Sequence, residues 1–226
     1  MTLPEAPGLV ARFRVLFAED PRTAFREWFV LQEHLRERKE AEVSERSRAL
    51  ASDLLDMRGM LDFSSNEEKA VFLHNLAVFF GSRGPAEDLH SSLLLFEESS
   101  SAGYGSDDLE ALARLDHNRG NALQNLARSR EDLVEALACY GRALEIRDAT
   151  RPIARGVTLH ARGLALRTLA EVAGAAGPEE RAALLRSAIS SFEESLSLRA
   201  SEDLVRGVEE TSRALDEARR ALEAGC

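Results

Sequence analysis

Three histidines stand 43 residues apart: His74 in LHNLAVFF, His117 in DHNRGNAL and His160 in LHARGLAL. A small residue follows each at the third place, as Ala77, Gly120 and Gly163. An interval kept twice implies one structural unit copied three times. A unit of this length is too small to bury its own apolar face, so its copies must stack in a line.

A second helix type repeats after each histidine helix. EDLVEALACYGRALEI carries Leu133, Leu137, Tyr140 and Leu144 at steps of 4, 3 and 4, one stripe of a helix. Leu185, Ile189, Phe192 and Leu196 repeat the stripe 52 residues on, and Leu89, Leu93 and Phe96 precede it by 44. Small residues accompany each copy: Ser92 and Ser99, Ala136 and Ala143, Ala188 and Ser195. Breaks separate the helices at SRGP (82–85), ARS (127–129) and GAAGP (174–178), and the last absorbs the longer displacement. Pro85 and Pro178 each follow a Gly and suit a first helical turn, while Ser129 with Asp132 resembles a capping box. Only 6 prolines occur, and Ala, Leu, Glu and Arg dominate, so the fold class expected is all-α.

The expected organisation is an N-terminal helical segment over 1–66, three repeats over 67–200 and a capping helix over 201–226. Residues 9–17 read as a short apolar helix. Thr23 to Met57 holds no Gly or Pro and reads as a degenerate fourth pair breaking near 40–44, with one long helix as the alternative. The tail has the polar outer face that the end of a stacked array needs.

The two-helix unit resembles the tetratricopeptide repeat, over roughly 130 of 226 residues. The small slot of the first helix is Ala77, Gly120 and Gly163. The small–aromatic–small trio of the second is Ser92-Phe96-Ser99, Ala136-Tyr140-Ala143 and Ala188-Phe192-Ser195. A length near 43, against about 34 for the common repeat, is similar to the long-helix variety of kinesin light chains and many bacterial signalling proteins. The chain departs from the pattern at Leu73, Asp116 and Leu159, where an aromatic is usual, and at Arg119 and Arg162, where apolar residues are usual. The resemblance implies a right-handed α-solenoid of antiparallel helix pairs with a concave groove.

At about 100° per residue, Leu112, Leu115, Gly120, Leu123, Leu126 and Ala127 make the core side of their helix. Arg114, His117, Asn121, Gln124 and Arg128 share the other side, as do Val157, His160, Leu164 and Arg167 in the next unit. By the resemblance these line the groove. Asn can bond a peptide backbone through donor and acceptor, and Arg can hold carboxylates with paired bonds. His74 lies in a helix apolar nearly all round and reads as a buried histidine.

The net charge of −10 disfavours a general nucleic-acid binder. Residues 111–170 nevertheless carry 10 Arg against 6 acids, which suits an acidic partner. Catalytic motifs are missing: there is no HExxH, phosphate loop or GxSxG, and Cys139 has no activator beside it. Histidines on successive helices roughly 8–10 Å apart cannot converge on one ion, so neither metal nor cofactor is expected. No apolar run approaches the roughly 20 residues of a membrane span, and the N-terminus lacks a secretory pattern, so a soluble cytoplasmic protein is expected. The function expected is a non-catalytic adaptor binding a protein or peptide segment in the groove. The alternatives are a subunit that self-assembles through Trp28, Phe29, Phe79 and Phe80, and a ligand-sensing regulator of a cognate enzyme.

Overall fold

The computed structural model describes residues 51–52, 55–56, 58–59, 63–83, 88–127, 129–148, 151–172, 177–200 and 205–224. Among these the regular structure is all helical: α1 (Asn66–Arg83), α2 (Asp88–Ser101), α3 (Leu109–Asn125), α4 (Arg130–Ile146), α5 (Pro152–Val172), α6 (Pro178–Ala200) and α7 (Val205–Glu223). The readings over 9–17 and most of 23–57, with Trp28 and Phe29, lie outside the described residues, as do Pro85 and Arg128.

Local chemistry sets the helix starts. Asp108 accepts from the amides of Glu110 and Ala111, and the capping box expected at Ser129 and Asp132 is formed in both directions. Pro152 and Pro178 open α5 and α6, where a missing N–H costs nothing.

Each helix packs chiefly on its neighbours in the chain, most closely as α1 with α2, α3 with α4, and α5 with α6. The pairs run antiparallel. Ser92 Oγ donates to the Ala77 carbonyl at 2.8 Å, and Ser99 Oγ, further along α2, donates back to Ala70 at 2.7 Å. Ser195 makes the Ser99 bond again in the third pair, to Gly156 at 2.7 Å. Three core clusters follow in series, centred on Phe72, Leu76 and Phe96, then Leu123 and Tyr140, then Leu166, Phe192 and Leu215.

The small slots are explained by aromatic rings. A Cβ on Gly120 would lie 2.7 Å from Tyr140 Cε1, and one on Gly163 2.5 Å from Phe192 Cε1, both inside contact distance. Both rings are fully buried and cannot swing away. Gly163→Ala should therefore lower stability by about 2 kcal/mol, despite the better helix propensity of Ala, because overpacking a tight core outweighs it. Urea denaturation checks this; a stabilised variant would mean that the ring yields.

The second-helix stripe differs from the expected one. The deepest residues of α4 are Leu133, Ala136, Cys139, Tyr140 and Ala143, and Leu137 and Leu144 are half-buried. α6 buries the positions 52 later, Leu185, Ala188, Ser191, Phe192 and Ser195. Small residues sit deepest because they let two neighbouring helices approach. Phe80, expected on an exposed assembly surface, is buried in the first cluster, with Phe79 packed against it. Ala51 is also buried there and Leu55 packs against the cluster, so these two residues cover part of that surface.

Candidate functional site

The histidine helices α1, α3, α5 and then α7 follow one another, and each histidine faces the next helix of that row. His117 is only 8% exposed. Its Nδ1 lies 3.3 Å from Thr158 Oγ1 on α5, and its Nε2 lies 3.1 Å from Asn121 Nδ2. His160 repeats the contact, with Nδ1 3.0 Å from Thr211 Oγ1 on α7. An arginine from the end of the intervening second helix completes each junction. Arg147 Nη1 donates to Thr158 at 2.7 Å, and Arg199 Nη1 donates to Thr211 at 3.1 Å.

The hydrogens follow from counting. Thr158 donates its one proton to the Ala154 carbonyl at 3.0 Å, and Thr211 donates to Gly207 at 2.7 Å. Each hydroxyl then only accepts, so each histidine carries its proton on Nδ1. The Nε2 of His117 is left to accept from Asn121, whose Oδ1 accepts from the Tyr140 hydroxyl at 2.8 Å. Gln124 Oε1 lies 2.8 Å from the same hydroxyl, and one proton cannot serve both oxygens. Turning the Gln124 amide lets Nε2 donate and satisfies the set. The network closes with His117 neutral, and burial, then Arg147, pushes its pKa down to about 4.

His74 is buried as expected, stacked on Tyr104 at 4.1 Å. Asn118 donates to its Nε2 at 3.1 Å, but its buried Nδ1 has no partner among the described residues. Leu115 stands where threonine stands in the later junctions. Burial, then Arg114, pushes this histidine also to about 4. His160 is half-buried and is pushed to about 4 by burial and then Arg199.

These positions correct the expected groove. His117 lies inside a helix–helix junction. Asn121 and Gln124 turn their polar ends to Tyr140. Arg167 pairs with Glu217 of α7. Leu164 is half-buried against the third core cluster. The departures at Asp116, Arg119 and Arg162 are explained by polar bridges between paired helices: Arg142 to Asp116 at 2.6 Å, Arg119 to Glu135 at 2.7 Å, and Arg162 to Ser191 at 2.9 Å. Much of the basic middle is thus matched by the protein's own acids.

What stays open is the place three residues before each histidine. Val71, Arg114 and Val157 are all exposed there, on successive helices of the row. The histidine–threonine–arginine junctions were missed in the sequence, although Arg147 and Arg199 keep the same displacement of 52 as the stripe. Among the described residues no three His, Cys, Asp or Glu side chains form a metal-binding group, and no helix is long and apolar enough to cross a membrane. The chain matches no model of a known protein family, and no curated protein matches it significantly.

Proposed function

We propose that the chain is a non-catalytic adaptor of the tetratricopeptide kind, a right-handed solenoid that binds a protein segment along its first helices. One observation carries this reading: Val71, Arg114 and Val157 occupy equivalent positions on three consecutive helices and stay exposed. The helices beneath them are fixed by buried bonds, so the row is rigid before any partner arrives, which lowers the entropy lost on binding. Helices about 8–10 Å apart match every third residue of a polyproline II chain, which makes one turn in three residues rising about 3.1 Å each. The segment that fits has an apolar, an acidic and an apolar side chain at that spacing. The acidic preference rests on Arg114 here, because Arg167 is taken by Glu217.

The test uses the full chain with Arg114→Glu and Val157→Asp together. Both sites are exposed, so the variant keeps its helical signal and melting behaviour. A partner captured by the natural chain, once purified, should bind the variant at least about tenfold more weakly. Equal affinity would remove this face from consideration.

A further inference from the structure

The arginines of the two junctions are held alike by threonine and differ in their other edge. Arg147 and Arg199 are each 5% exposed, and each spends Nη1 on a threonine and on the carbonyl four residues before it. The other edge of Arg147 is occupied: Nε and Nη2 both donate to Glu110 Oε1, at 3.1 and 2.8 Å. The position equivalent to Glu110, 43 residues on, is Ile153. Among the described residues Arg199 forms no ion pair, and its buried Nε has no partner. Glu210 acts on it only at longer range, and burial holds its pKa below the ordinary value.

The geometry points to the Nε/Nη2 edge of Arg199 as a binding site for a carboxylate of a partner polypeptide. The guanidinium is held from behind by Thr211 and Gly207, and its stem lies against Gly156 and Gly207, where a Cβ would be 3.3 Å from Cγ and 3.3 Å from Cδ. The matching edge of Arg147 holds Glu110, a fork suited to a carboxylate; that of Arg199 is covered, so a carboxylate reaches its Nε–H only as the groups over it turn aside. Ile153 is 45% exposed and Val157 38% exposed on the same helix, so an acid flanked by apolar side chains fits better than a free ion. This site rests on the adaptor reading and extends its contact surface toward the start of α5.

Two experiments test it. Ile153→Glu supplies the carboxylate from within the chain, and its melting temperature should rise by about 3–6 °C. Adding Arg199→Met should abolish that gain. In the natural chain the Arg199 Nε–H resonance should move saturably with sodium acetate and stay still in equal sodium chloride. Acetyl-Val-Glu-Val-amide should bind at least about tenfold more tightly than acetate, and Ile153→Glu should block both. No melting gain in a folded Ile153→Glu chain, or an equal response to chloride, overturns the site. A peptide no tighter than acetate overturns the polypeptide as its source, leaving a small free carboxylate. If the site fails while Arg114→Glu/Val157→Asp still loses the partner, the adaptor reading stands without it.

Discussion

Acidification from pH 6.5 to 4 should unfold this protein at urea concentrations it withstands at pH 7. His74 and His117 are buried neutral, each with its pKa pushed from the ordinary 6.5 to about 4. Above pH 6.5 the ring is neutral in both folded and unfolded chains, and its full contribution is present. Below 6.5 the unfolded chain binds a proton that the folded chain refuses, and stability falls until the folded ring titrates near 4. The loss is about 3 kcal/mol for each of the two by that point. His160 adds to it in the same direction, and solvent screening weakens its share. The sum is comparable with the whole stability of an ordinary domain, about 5–15 kcal/mol.

The urea midpoint should therefore drop steeply between pH 6.5 and 4.5, above the range where most carboxylates titrate. His117→Gln, which keeps a neutral polar group there, should flatten the slope by about one proton. Nitrogen NMR should show His117 neutral at pH 5.5 with its proton on Nδ1. A slope unchanged by the substitution, or a charged ring at that pH, would refute the account.

Much of the architecture was legible because it follows from spacing. The 43-residue interval located the first helices, and the Ser129 and Pro178 signals placed two helix starts where they occur. The orientation of His117 was not legible from a single-helix projection. Such a projection assigns one core side, but a helix in a stacked row is covered on two, by its own partner and by the next helix of the row. Asn121, Gln124 and Arg167 were misread for the same reason, since Tyr140 and Glu217 come from other helices. Alternation of apolar residues also overstated the leucines of α4, because Ala136 and Ala143 give no strong apolar signal yet allow the closest approach. The displacement of 52 continues past the stripe to Arg147 and Arg199, which mark both junctions.

Those two arginines should respond very differently to the same substitution. Arg147→Met removes both bonds to Glu110 and the bond to Thr158, and leaves Glu110 with only Arg151, at 3.7 Å. Leaving a partly buried carboxylate without its main partner should cost about 3 kcal/mol. Arg199→Met strands no carboxylate of a described residue and removes a buried cation that none of them pairs, so it should stay within about 1 kcal/mol of the natural chain. Adding Glu110→Leu to Arg147→Met should recover most of the loss, because the stranded charge goes with its partner. Urea titrations at pH 7.5, where His74, His117 and His160 are neutral in both states, isolate these terms. Burial is equal for the two arginines and each bonds a threonine at the equivalent place, so the carboxylate is the main difference between them. Equal costs would mean that threonine holds each junction and that Glu110 contributes nothing to the first.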